Sequence, residues 1–209
     1  MRLKIKVTGI IQGVGFRPFI YRIAFKNKLR GYVKNRGDGG VEILVEGKKE
    51  NIKKFLQDLK EKKPPLAQIH EIITTKLIGK EEYSSFIIQK SSSKTELSGS
   101  VIPPDIAICN NCLRELREPK DPRHDYFFIT CTDCGPRYTI IHRLPYDREN
   151  TTMRDFPMCD FCQSQYRNPL DRRFHAQTVA CPKCGPKVYL TTSKGKLIRS
   201  EDPVREAGK

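Results

Sequence analysis

Four Cys-x-x-Cys pairs, Cys109/Cys112, Cys131/Cys134, Cys159/Cys162 and Cys181/Cys184, use all eight cysteines of a 209-residue chain. They form two units offset by 50 residues, each built as CxxC, eighteen residues, CxxC and then Gly-Pro. The same register aligns Asp105 with Asp155, Arg117 with Arg167, Pro119 with Pro169, Asp121 with Asp171 and Arg123 with Arg173, without a gap. A CxxC turn places two thiolates on one ion, and two such turns complete a tetrahedral four-cysteine shell that stabilises a unit too small to bury much surface. A tandem zinc-finger domain is therefore expected over 105–190, with repeats at about 105–139 and 155–189. Its two Zn²⁺ ions would be structural, because a full thiolate shell leaves no open position for a catalytic water. The simplest assignment gives Cys109, Cys112, Cys131 and Cys134 one ion and Cys159, Cys162, Cys181 and Cys184 the other; spacing alone also allows ligands shared between repeats. Disulfide and thioredoxin-like redox readings compete with zinc, but the N-terminus has no signal-peptide core and no CGPC opens a helix.

Ahead of the first unit the pattern changes. Leu3, Ile5 and Val7 alternate with Lys4, Lys6 and Thr8, which predicts a half-buried strand. A glycine-bearing loop follows from Gly9 to Arg17, and Pro18 sits in a first helical turn, where proline is tolerated. Phe16, Phe19, Ile20, Ile23 and Ala24 mark one face of that helix. Gly31 to Asn35 and Val41 to Glu46 read as a hairpin around the turn cluster Arg36-Gly-Asp-Gly-Gly40. Ile52, Phe55, Leu56 and Leu59 keep helical spacing up to Pro64-Pro65, and 68–77 and 86–89 supply further strands. The order βαββαβ predicts an α+β, ferredoxin-like sandwich over 1–91. The Ser-, Lys-, Thr-, Gly- and Pro-rich stretch 92–104 reads as a linker and 191–209 as a tail.

Charge separates the two parts. Residues 1–90 hold 20 Lys and Arg against 9 Asp and Glu, a formal +11, and residues 91–209 hold 19 against 15, a formal +4. Eight thiolates on two Zn²⁺ would bring the second part to zero, so anion attraction belongs to the first. A finger region without a basic footprint argues against nucleic-acid binding. No stretch approaches the ~18 apolar residues of a membrane span, and the mean hydropathy is −0.56, so no membrane association and a cytoplasmic location are expected.

The loop Gln12-Gly13-Val14-Gly15-Phe16-Arg17 lies between a strand and a helix. Glycines there let successive N–H groups converge on an anion, the helix N-terminus adds positive potential, and Arg17 can hold phosphate bidentately. No Gly-Lys-Ser/Thr follows, and Pro18 stands at the third glycine position of a dinucleotide fingerprint. A plain tight turn is the competing reading. Asn35 is ordinary turn chemistry beside Gly37, but a ferredoxin-like topology brings its strand close enough for its amide to reach a water facing Arg17. His142 and His175 are read as packing or as hydrogen bonding to the zinc ligands.

Gly9-Ile-Ile-Gln-Gly-Val-Gly-Phe-Arg17, Gly31-Tyr-Val-Lys-Asn35 and Asp38-Gly-Gly-Val-Glu-Ile43 resemble the acylphosphatase pattern. Arg17-Pro-Phe-Ile-Tyr-Arg-Ile-Ala24, Cys134-Gly-Pro-Arg-Tyr-Thr-Ile-Ile, Leu144-Pro-Tyr-Asp-Arg, Thr151-Thr-Met and Asp171-Arg-Arg-Phe-His-Ala-Gln are similar to the HypF family of hydrogenase-maturation carbamoyltransferases. The resemblance implies that Arg17 and the N–H groups of Gln12, Gly13, Val14, Gly15, Phe16 and Arg17 bind phosphate, and that Asn35 orients the attacking water without metal, cofactor or covalent intermediate. It implies carbamoyl phosphate as substrate, carbamate passed to an ATP-using domain, carbamoyl-adenylate, and transfer to a HypE-type partner as the source of the hydrogenase cyanide ligands. The sequence given stops where a linker to the nucleotide-binding domain would begin, so these residues alone are expected not to carbamoylate a partner. The alternatives are a zinc-ribbon nucleic-acid module and a docking module whose acylphosphatase-like domain is inactive.

Overall fold

A computed structural model describes residues 1–79, 82–91, 101–102 and 104–208. The expected linker, 92–104, falls almost entirely outside them. Nine alternating residues make β1 (Arg2–Ile10), and α1 (Phe16–Lys26) follows the glycine turn. The hairpin β2 (Arg30–Asn35) and β3 (Val41–Glu46), helix α2 (Lys49–Glu61), and strands β4 (Gln68–Leu77) and β5 (Phe86–Ile88) complete the sandwich. The sheet order is β4-β1-β3-β2-β5, antiparallel except that β5 runs parallel to β2.

One sheet face, with Ile5, Val7, Val33, Ile43 and Val45, buries against Ile20, Ile23 and Ala24 of α1 and Ile52, Phe55 and Leu59 of α2. The opposite face is polar but not bare. Glu42 is buried there, accepting from Tyr32 Oη at 2.8 Å and pairing with Lys4 Nζ at 3.0 Å and Lys34 Nζ at 3.1 Å. Both β1 and β2 therefore flank β3 with cations, which is what lets an acidic residue sit in a central strand.

In the second half, helices α3 (Asn110–Arg117) and α4 (Asp160–Arg167) each begin directly after the first cysteine of a unit. The two units exchange side chains reciprocally. Arg123 reaches into the second unit, donating from Nε to Ala180 O at 2.7 Å and from Nη2 to Gln165 Oε1 at 2.7 Å and Cys162 Sγ at 3.4 Å. Arg173, its counterpart, reaches into the first, to Thr130 O at 3.0 Å, Glu115 Oε2 at 2.5 Å and Cys112 Sγ at 3.9 Å. Every partner obeys the 50-residue register. A short hairpin, β6 (Leu190–Thr191) and β7 (Leu197–Ile198), and helix α5 (Pro203–Ala207) follow. Among the described residues no helix is long and apolar enough to cross a membrane.

Candidate active site and paired metal centres

The turn between β1 and α1 places Gly13 and Gly15 in the left-handed region, at φ 73° and 72°, and Gly15 caps α1. Left-handed residues at the mouth of a helix curl the backbone around the N–H groups that lack intrahelical partners, which is the geometry an anion needs. Val14 and Phe16 bury their side chains in the core, so their contribution to such a cradle is limited to the backbone. Gln12 also turns away from it: Nε2 donates to Arg36 O and Gly40 O, each at 3.0 Å, and Oε1 accepts from Tyr146 N at 2.8 Å.

Arg17 and Asn35 come together, as topology predicted. Arg17 Nη2 donates to Tyr146 O at 3.1 Å, and Asn35 Nδ2 donates to the same carbonyl at 3.3 Å. Asn35 is 1% exposed, yet its Oδ1 accepts no hydrogen bond. Arg17 Nη1 pairs with Asp147 Oδ1 at 2.7 Å. Gly13, Gly15, Arg17, Asn35, Tyr146 and His175 line a small, partly open cavity of about 30 Å³. A groove of about 520 Å³ adjoins it, and Arg17 and His175 line both while Asp147 lines only the groove.

The finger half therefore roofs the glycine turn. Arg137 donates from Nε to Gly13 O and from its two terminal nitrogens to Cys131 O, Thr132 O, Cys134 O and Pro136 O at 2.8–3.1 Å. A single guanidinium thus ties the second CxxC turn of the first unit to the loop. A Cβ added at Gly13 or Gly15 would lie 3.1 Å from Arg137 Cδ and Thr132 Cβ respectively, so the neighbour would have to give way, and the left-handed backbone at both positions disfavours any other residue. His175 packs on Tyr166 and Phe174, with ring centroids 4.9 and 4.7 Å away. Burial and then the nearby Arg17 charge push its pKa down to about 4, so the imidazole facing the cavity is neutral at pH 7. His175 packs as expected, but beside Arg17 rather than behind a zinc ligand. His142 is a correction: its side chain is exposed rather than packed, and what holds the residue is its backbone, His142 N donating to Asn150 O at 2.9 Å.

Sequence reasoning missed Arg137, Tyr146 and Asp147. They act across more than a hundred residues of chain, which no local pattern reports. All three do stand in segments that carry the family resemblance, Cys134-Gly-Pro-Arg137 and Leu144-Pro-Tyr-Asp147, and that was the available signal.

The eight thiols form two clusters, one per repeat, with sulfurs within 4.8 Å of one another, and none is in a disulfide. Sulfur–sulfur distances of 3.4–3.7 Å in the first cluster and 3.6–3.7 Å in the second suit a tetrahedron with ~2.3 Å metal–sulfur bonds, whose edges are about 3.8 Å. The grouping follows the repeats. Charge fits in part: Arg172 donates to Cys112 Sγ at 3.2 and 3.3 Å and Arg123 to Cys162 Sγ at 3.4 Å, so each centre has an arginine that would offset one of the two excess negative charges of a Zn²⁺ tetrathiolate.

The acylphosphatase family profile matches residues 3–88, and the HypF finger profile matches 108–141 and 158–191. The chain is 55% identical over 150 residues to the probable carbamoyltransferase HypF of Methanocaldococcus jannaschii, covering 72% of this chain and 20% of that protein. It is 40% identical over 88 residues to the acylphosphatase of Bacillus subtilis, 42% of this chain and 96% of that one. The crystal structure of T. kodakarensis HypF superposes with a TM-score of 0.84 at 54% identity, over 99% of this chain and 26% of that one. Full-length HypF in a phosphate- and nucleotide-bound form gives 0.82 at 44%, over 92% and 25%. Fold and matches together define the class: an acylphosphatase domain joined to paired four-cysteine fingers. The chain spans a fifth to a quarter of the HypF proteins it matches. It belongs to the carbamoyltransferase HypF family and corresponds to the acylphosphatase and zinc-finger region of that family.

Proposed function

We propose that the cavity between the glycine turn and the finger half hydrolyses an acyl phosphate, carbamoyl phosphate in the family's context. The observation that carries this reading is the convergence of Arg17 and Asn35 on one carbonyl beside the turn, with Asn35 Oδ1 left as a buried, unused acceptor. Arg17 and the turn's N–H groups neutralise the phosphoryl oxygens, and Asn35 Oδ1 accepts from the attacking water and holds it toward phosphorus. Water oxygen bonds to phosphorus, the bond from phosphorus to the acyl oxygen breaks, and carbamate leaves with the electron pair while the water proton passes to solvent through phosphate. Cys109, Cys112, Cys131 and Cys134, and Cys159, Cys162, Cys181 and Cys184, would hold two Zn²⁺ that stabilise the roof and take no part in the chemistry. In a full-length HypF this is the first step of carbamoyl transfer for hydrogenase maturation, with ATP consumed elsewhere in the protein and a HypE-type acceptor.

Phosphate release from carbamoyl phosphate by the purified chain, beside Arg17→Gln, tests the reading. Loss of a charged donor to the developing charge is expected to lower kcat/KM by about 10²-fold or more. Release unchanged in Arg17→Gln would instead favour a docking module, a reading to which the Asp147 carboxylate lying on Arg17 lends support.

A further inference from the structure

Asp147 is out of place beside a phosphate site. Its carboxylate sits 2.7 Å from the phosphate-binding candidate Arg17, and Arg17 is its only ion-pair or side-chain hydrogen-bond partner among the described residues. Neither side chain is far from buried, at 10% and 18% exposure, so water screens the contact weakly. A phosphate taken up by Arg17 must share that guanidinium with an existing anion. For a ligand that offers Asp147 nothing, this is a penalty.

The acyl end of the ligand decides how large the penalty is. Tyr146 O already accepts two hydrogen bonds, from Arg17 and Asn35, and Asn35 Oδ1 is assigned to the water. On the groove side, beside Arg17, the anionic acceptor is the Asp147 carboxylate. A cation flanked by an unshared carboxylate is complementary to a molecule that is anionic at one end and a hydrogen-bond donor at the other. Carbamoyl phosphate is such a molecule, with two N–H bonds on the acyl carbon's nitrogen; acetyl phosphate carries a methyl group there and can donate nothing.

We infer that Asp147, supplied by the finger half, is a specificity-determining residue that selects acyl phosphates bearing an N–H donor and disfavours those that lack one. The inference rests on the acyl-phosphate reading above. It also gives the finger half a role in recognition: the 86 residues matched by the acylphosphatase profile contain no counterpart of this carboxylate, because it arrives from residue 147.

The test is kcat/KM for carbamoyl phosphate and acetyl phosphate with wild type, Asp147→Ala and Asp147→Asn, each checked for zinc content and circular dichroism. A hydrogen bond to a charged group gives about tenfold discrimination or more. Wild type should prefer carbamoyl phosphate by at least about that factor. Asp147→Ala should lose carbamoyl phosphate activity and gain acetyl phosphate activity, lowering the ratio by about tenfold or more. Asp147→Asn, which keeps one acceptor and loses the charge, should fall between and carries the test if the alanine variant does not fold. A ratio in the variants within about twofold of wild type overturns the role of Asp147 and leaves the hydrolase reading standing. Wild type hydrolysing neither compound overturns the hydrolase reading itself, and this inference with it.

Discussion

Glu42 is an acidic residue buried on the polar face of a central strand, beneath Lys4, Lys34 and Tyr32. Burial alone would raise its pKa; the hydrogen bonds from Tyr32, Lys4 and Lys34 outweigh that and hold it at about 2. Since the unfolded value is ~4.3, the contribution to stability is complete above that pH and is lost as pH falls toward 2. Urea unfolding at pH 6 and pH 3 should therefore show a larger acid loss in wild type than in Glu42→Gln, with equal losses refuting the assignment. The placement of Arg17 after the glycine turn and of Asn35 at the end of a hairpin strand was legible, because strand, turn and helix are written locally there. Asp147 was not, because nothing in its own neighbourhood says which of 39 lysines and arginines it will meet.

The elements of the first half follow their periodicities closely. The helix face Phe16, Phe19, Ile20, Ile23 and Ala24 packs on the sheet, and both hairpin strands fall where the turn cluster puts them. The short strand β5 was also legible, but not its parallel seat on β2, since the β2 edge is left open only because β4 takes the other side of the sheet, beside β1. In the second half the cysteine spacing gave both centres and left undetermined how the units face one another. Arg173, at 2% exposure, is one of the arginines that fix this. Arg173→Met should destabilise the chain by about 2–4 kcal/mol, because Thr130 O and part of Glu115 lose a buried donor. The sharper readout is location: metal should be released faster from the first unit, Cys109 to Cys134, although the substitution lies in the second. Loss confined to the second unit would show the exchange to be ornamental.

At the scale of the molecule the fingers and the sandwich meet at the catalytic candidate. Arg137 hangs on the backbone of the Cys131–Cys134 turn and grips Gly13, so the shape of the candidate anion cradle depends on a turn that carries two of the four thiols of a candidate metal centre. Removing zinc with a mercurial thiol reagent and a chelator should release two ions per chain and abolish phosphate release, while β1 to β5 retain their far-ultraviolet signal. Full hydrolytic activity in the metal-free protein would separate the two halves functionally. The reciprocal arginines carry a last consequence, for the origin of the fold. Each unit offers an arm and presents a socket for the same arm, as the protomers of an isologous dimer do. One unit made alone would hold an empty socket and a free arm and would find its complement in a second copy of itself. The tandem arrangement thus has the reciprocal contacts of a two-fold dimer within one chain, and the stretch 140–154 between the repeats, which has no symmetry to obey, carries Tyr146 and Asp147 to the candidate site.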